Sequence, residues 1–312
     1  MSNSTSSSAR AGGSTGAGTE YDIVMIGHVS KDIIVDHGGS ESHVVGGPVV
    51  YSSASAVRSG ARVLVVSRCA REDRGELDVI EENGAELVAL SSAETTSIRN
   101  VYHTADREKR TVTLLSRADP FTADEVPDVS TAIFHLAGLF VGELPDSIIE
   151  PLAARAPVAL DAQGVLRAEE DGALLFRDWA GKRDYLPLIT YFKTDAAEAE
   201  ILTGTDDRER AAAQLCDWGA REVMITHNSE VIVGAGGRIY RAPLTPKNLS
   251  GRTGRGDTCF AAYLARRLSA DIHESVEYAA ALVSLKMERP GPFRGTMEEV
   301  AARMLEHARG EQ

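Results

Sequence analysis

Ser250–Leu268, SGRTGRGDTCFAAYLARRL, is the stretch on which the reading of this chain turns. Gly254 and Gly256 let the backbone fold tightly and let a ligand come close, because neither carries a Cβ. The run that follows (Cys259, Phe260, Ala262, Tyr263, Leu264, Leu268) has helical spacing. The free N–H groups and positive dipole end of that helix point back at the turn, which makes it an anion site with phosphate as the usual occupant. Asp257 stands at the junction. As a phosphate ligand it would repel its own substrate; as a base taking a proton from a hydroxyl that attacks the phosphate it has a purpose. The segment alone equally allows Asp257 to be only the N-cap of the helix.

Working outward, the chain alternates strand and helix. YDIVMIGHV (21–29) reads as a buried strand ending at Gly27, IIVD (33–36) as a second extended piece, and 48–59 as a helix of small residues with Pro48 in its first turn. ARVLVVSRCA and ELVAL read as strands around a helix in GELDVIEENGA. TAIFHLAG, PVALDAQG, LITYFKTD, EVMITHNS and VIVGAGG continue as strands, and helices are expected near 257–268, 274–288 and 297–307. This order predicts an α/β fold with a largely parallel sheet flanked by helices. SIRNVYHT and RTVTLLSR, joined by the charged ADREK, break the pattern as a β-hairpin. It is either an ordinary surface hairpin or a lid over a site. Strands ending at Gly138, Asp161 and Asp195 put polar residues at carboxyl ends, where open α/β sheets bind ligands.

Bulk composition narrows the partners. A formal charge of −13 over 312 residues gives no global support for binding nucleic acid. No window offers about 18 uninterrupted apolar residues, so no membrane span is expected. Cys69, Cys216 and Cys259 lie far apart without metal or redox spacing, which fits a reduced, cytoplasmic compartment. Residues 1–19, rich in Ser, Gly and Thr, lack the apolar core of a signal peptide and read as a disordered tail before a single domain over 20–312.

Three segments taken in order carry a resemblance. Gly27-His28-Val29-Ser30-Lys31-Asp32, then Gly46-Gly47 before a small-residue helix, then Thr253-Gly254-Arg255-Gly256-Asp257-Thr258 together resemble the ribokinase-like (PfkB) family of carbohydrate kinases, from Tyr21 to about His307. The resemblance implies a three-layer α/β/α fold with a small β-sheet lid drawn from about 28–46 and 95–116. It implies transfer of the γ-phosphate of ATP to a substrate hydroxyl, with Mg2+, and raises the question of a monovalent cation. Asp257 would be the base, and Gly254, Arg255 and Gly256 would frame the anion hole. Asp32, Gly46 and Gly47 would face the substrate. Asp195-Ala-Ala-Glu198 occupies the place of the family's N-x-x-E motif, with Glu198 acting on Mg2+ through water; the same spacing is also a capping box. Lys193 would reach a phosphate or be a surface lysine. Thr226 and Asn228 stand where the family has a T-x-G turn beside the nucleotide, and His227 reads as a loop histidine. Arg255 replaces the usual alanine, and its guanidinium would reach phosphate oxygens or point to solvent.

Asp161-Ala-Gln163-Gly-Val-Leu-Arg167, together with Tyr51 after the diglycine and Leu114–Ala118, resembles the inositol-kinase branch. That implies a cyclitol acceptor, myo-inositol foremost, held by Asp32 and Gln163, with Arg167 either on the ring or fixing Asp161. Arg99 and Arg110 of the hairpin are weaker candidates. A homodimer through the lid is a further family expectation. Rival readings are a ribose, fructose or adenosine kinase, which 5% aromatic residues do little to support as a base-stacking site, and a silent sugar-binding homologue. A dinucleotide-binding dehydrogenase is excluded, since no G-x-G-x-x-G follows the first strand.

Overall fold

The first strand explains the layering. In β1 (Tyr21–Ile26), Ile23 and Met25 feed one hydrophobic core while Val24 and Ile26 feed another. A strand apolar on both faces must be covered on both. The helices Pro48–Arg58, Arg255–Arg267 and Ile272–Met287 close the first core. Ala196–Thr203 and Arg208–Asp217 close the second. The computed structural model describes residues 20–104 and 109–310; segment 1–19, read above as a tail, and the hairpin tip 105–108 lie outside the described residues.

The large sheet takes β4 (Val63–Cys69), β5 (Glu86–Ser91), β8 (Thr131–Leu136), β9 (Val158–Asp161), β12 (Ile189–Asp195), β13 (Glu222–Thr226), β14 (Glu230–Ala235) and β15 (Arg238–Pro243), in the order β15-β14-β13-β12-β9-β8-β1-β4-β5. All neighbours from β13 to β5 run parallel, and β14 and β15 close one edge antiparallel. Parallel strands bring their carboxyl ends to one edge, where Asp161, Asp195 and Thr226 emerge.

A second sheet sits over that edge. β2 (Ser30–Val35), β3 (Glu41–Gly46), β6 (Ser97–Tyr102), β7 (Arg110–Ser116), β10 (Arg167–Glu170) and β11 (Ala173–Phe176) pair in the order β10-β11-β7-β6-β2-β3. The hairpin of β6 and β7 forms as the sequence predicts, in antiparallel register. β10 and β11 extend the sheet beyond the two segments expected to supply it. They meet at Asp171-Gly172, both at positive φ (50° and 81°), the conformation a two-residue hairpin turn demands. Among the described residues no helix is long and apolar enough to cross a membrane.

Candidate active site

The glycine turn opens the Arg255–Arg267 helix as its spacing requires, but Asp257 is not the cap. Gly254 is the N-cap, in the left-handed region at φ 73°, and Asp257 lies inside the first turn. The capping alternative therefore falls, and the carboxylate is left facing the cleft at the positive end of the helix. Burial pushes its pKa up to about 6, with Asp161 adding to the rise and Lys193, Arg167 and Lys286 opposing it. A partly exposed carboxyl poised near neutrality is suited to taking and passing on a proton.

Two constraints make Gly254 irreplaceable. Its φ disfavours any residue with a Cβ, and a Cβ there would come within 2.2 Å of Cδ1 of Tyr51. We expect Gly254→Ala to reduce turnover at least tenfold, with a smaller loss in the Gly254→Ala/Tyr51→Ala double variant; steady-state kinetics on the pair check this.

Lys193 is no surface lysine. It is 5% exposed, with Nζ 3.0 Å from Asp161 Oδ2 and 4.0 Å from Glu198 Oε2. Burial alone would lower its pKa, but Asp161, Glu198, Asp257 and Asp195 together hold it above the usual lysine range. Nζ also lies 2.9 Å from where a Cβ on Gly256 would stand, so the ammonium lies directly beside the anion turn. Glu198 completes a capping box with Asp195: its Oε2 accepts from the Asp195 N–H at 2.7 Å, while Asp195 Oδ1 accepts from the Glu198 N–H at 2.8 Å. Burial pushes Glu198 up to about 7, held back by Lys193.

Arg255 does not point to solvent. Its Nη1 donates to Asn228 Oδ1 at 2.6 Å, so the guanidinium bridges the anion turn and the loop after β13. Thr226 is 2% exposed, and its hydroxyl donates to the Thr194 carbonyl at 3.4 Å, bracing β13 against β12. His227 shares a hydrogen bond with Ser229 on the exposed loop, as a loop histidine should. Cys259 is fully buried, and its thiol pKa is raised to about 12.

On the opposite side Asp32 lies against the diglycine. Its Oδ2 is 2.6 Å from where a Cβ on Gly46 would sit, and Gly47 adopts φ 103°, so both glycines are needed for this approach. Burial pushes the Asp32 carboxyl up, with the charges of Arg110 and Arg167 opposing. Among the described residues Asp32 Oδ1 has no hydrogen-bond partner, an orphan acceptor of the kind a substrate hydroxyl satisfies. Arg167 does not fix Asp161: its Nη2 donates to Gln163 Oε1 at 2.8 Å, and Asp161 is held instead by Lys193 and by the Gln163 N–H at 3.1 Å. Arg99 pairs with Glu41 at 3.0 Å on the lid, whereas Arg110 donates to the Tyr102 hydroxyl at 3.3 Å.

The donor-side residues suit a magnesium ion in one specific way. Among the described residues no three His, Cys, Asp or Glu side chains form a metal cage. Magnesium bound with phosphates does not need one, since it keeps several waters and takes one or two carboxylates plus donor oxygens. Glu198 and Asp195 offer hard oxygens of that type, and Asp161, Glu198 and Asp257 outnumber Lys193 in charge, so an incoming anion gains from a cation beside it.

Sequence reading missed two residues. Lys286, in the last turn of the buried Ile272–Met287 helix, is 2% exposed and donates to the carbonyls of Gly251 (2.5 Å) and Thr253. The signal was a lysine at a core position of an apolar helix. Asn100, 5% exposed, shares a lid face with Asp32, because β2 and β6 run in register with Asp32 opposite Ile98 and Ile34 opposite Asn100.

Comparison with known proteins identifies the family. The pfkB family carbohydrate kinase model matches residues 53–298. A pyrophosphate-dependent kinase of the ribokinase family, solved with a pyrophosphate analogue and myo-inositol, is 38% identical. It superposes with a TM-score of 0.83, covering 90% of this chain and 99% of the other. A pyrophosphate-dependent myo-inositol-1 kinase, converted into a myo-inositol-3 kinase by a double substitution, is 36% identical over 93% of this chain and 99% of its own, with a TM-score of 0.82. The cytidine kinase of Thermococcus kodakarensis is 24% identical over 254 residues, 78% of this chain and 87% of that one. With its ribokinase-like α/β fold and small second sheet, the chain belongs to the pfkB family of carbohydrate kinases and is a phosphotransferase acting on a hydroxyl of a carbohydrate or cyclitol.

Proposed function

We propose that the chain transfers a phosphoryl group from pyrophosphate to a ring hydroxyl of a cyclitol, with myo-inositol as the foremost acceptor. The observation that carries this reading is Asp257, raised to about 6 in the first turn of the helix that the glycine turn opens, where it and Asp32 both act on Tyr51. The acceptor hydroxyl gives its proton to Asp257 as its oxygen attacks phosphorus, the bridging P–O bond of pyrophosphate breaks and inorganic phosphate leaves, and the backbone N–H groups of 254–257 receive the charge redistributed onto the phosphoryl oxygens. Lys193, beside Gly256, and Arg255, on the Asn228 loop, hold the donor's remaining charge. Glu198 and Asp195 would hold a magnesium ion, which would supply neutralisation of donor charge.

Pyrophosphate replaces the ATP expected from the family at large for two reasons. The relatives at 36–38% identity are named as pyrophosphate-dependent. The donor side also gathers buried or bridging cations at the turn, and a small polyanion draws its affinity from charge alone. For the acceptor, an uncharged ring of hydroxyls matches the orphan Oδ1 of Asp32 and the amide–guanidinium pair of Gln163 and Arg167. Leaving such groups unpaired penalises a wrong isomer.

A matrix of donors and acceptors tests this reading. With Mg2+, pyrophosphate and myo-inositol should give a phosphate monoester with a kcat/KM about 10²-fold or more above that for ribose, fructose, adenosine or cytidine. Preference for a sugar or nucleoside overturns the acceptor assignment, and turnover with ATP but not pyrophosphate overturns the donor. Absence of any polyol-dependent donor consumption would make the chain a silent sugar-binding homologue.

A further inference from the structure

We infer that Lys286 is a tethered cation that holds the anion turn in its binding shape, so that phosphoryl transfer in this chain needs no free monovalent cation. The inference rests on the proposed phosphotransfer and names a positioning residue for it.

Segment 250–253, which leads into the turn, is clasped to the end of the Ile272–Met287 helix. The Ser250 hydroxyl donates to the Glu288 carbonyl at 2.8 Å, and the Gly251 N–H to the Met287 carbonyl at 2.8 Å. The approach is so close that a Cβ on Gly251 would lie 1.8 Å from the Arg289 oxygen and 2.7 Å from the Lys286 oxygen. Carbonyl oxygens from the segment and from the helix end thus crowd around the buried Gly251. A helix C-terminus is the negative end of its dipole. Such a concentration of oxygens calls for a cation, and the chain supplies one.

The Lys286 ammonium, on a side chain 2% exposed, donates to the Gly251 and Thr253 carbonyls on either side of Arg252. It lies 5.2 Å from the centre of the Tyr51 ring, and that ring packs on Gly254 itself. Ammonium, aromatic ring and glycine therefore form one stack under the turn. Fixing the 251 and 253 carbonyls fixes the peptide planes that lead to the 254–257 N–H groups. The charge also favours the ionised form of Asp257, whose rise it opposes. An ammonium with its hydrogen bonds made to carbonyls does for these oxygens what a bound potassium ion would do; it is covalently tethered, and because burial lowers its pKa to about 8 it serves below that pH.

The test begins with the unmodified protein. Turnover measured in tetramethylammonium buffer should change less than about twofold when KCl or NaCl is added. Strict dependence on either salt overturns the inference. In Lys286→Met, kcat should fall about 10²-fold while the acceptor KM moves less than threefold, and methylammonium or K+ should restore at least tenfold of the loss. A folded variant, checked by its melting curve, that keeps full kcat or gains nothing from any added cation also overturns it.

A third measurement separates this inference from the functional reading. Pyrophosphate binding by calorimetry should weaken about tenfold in Lys286→Met and recover with methylammonium, whichever acceptor the enzyme uses. Equal binding by both proteins counts against the tethered cation even if no cyclitol is phosphorylated. Should Lys286→Met fail to fold, the salt response of the unmodified protein decides the matter alone.

Discussion

Replacing Asp257 by asparagine is expected to lower kcat by about 10²–10⁴-fold while leaving donor affinity within severalfold. Asparagine keeps the shape and the helix turn but cannot accept the acceptor's proton. The unmodified protein should show the same dependence through pH. Its base is ionised above about 6, so kcat at saturating donor falls about tenfold per unit below that value, and Asp257→Asn loses this limb. Stability should move the other way. The folded pKa lies above the usual aspartate value because burial disfavours the charge, so the fold prefers the protonated form. The stabilisation from that preference is complete below the unfolded pKa and is lost as pH rises through about 6. At pH 8 the ionised carboxylate therefore costs stability, discounted for its partial exposure to roughly 1–2 kcal/mol. Asp257→Asn should then melt a few degrees higher at pH 8 and equally at pH 3.5. A variant both inactive and less stable would contradict the assignment of strain to this carboxylate.

Lys193→Met should be the most destabilising change in the site. It leaves Asp161 and Glu198 buried without their counter-ion, and breaking a buried pair from one side costs about 3–5 kcal/mol. Glu198, whose pKa burial raises and Lys193 holds back, would respond by protonating, so the loss is expected to be largest at high pH and to shrink as pH falls. Adding Asp161→Asn should recover part of it, and denaturant melts on the two single variants and the double variant measure the coupling. Turnover should fall as well, because the ammonium beside Gly256 is lost from the donor side. An unchanged melting midpoint in Lys193→Met would mean that the pair contributes nothing.

Much of the fold was legible because strands buried on both faces leave continuous apolar runs. YDIVMI and VLVV carry that signature, and both lie inside the sheet rather than at an edge. The β6–β7 hairpin was legible differently, through two extended runs around a charged connection. β10 and β11 were not, being four residues each, the first mostly charged and the second too short to show a period; only Asp171-Gly172 marked their turn. In the site, motif order singled out Asp32, Gly46, Gly47 and Asp257 as candidates, whose neighbours are local in sequence or set by backbone. Partnerships across the fold were not legible. Lys193 with Asp161, Arg167 with Gln163, Arg255 with Asn228 and Lys286 with Gly251 depend on strand order and helix packing, which no spacing encodes.

A structure with myo-inositol and a non-hydrolysable pyrophosphate analogue tests the central claim most directly. The account predicts one ring hydroxyl within about 2.6–3.2 Å of an Asp257 oxygen and about 3–3.5 Å from the transferable phosphorus, with phosphate oxygens on the 254–257 N–H groups. An acceptor bound with no hydroxyl near Asp257, or an analogue seated away from that turn, would contradict it.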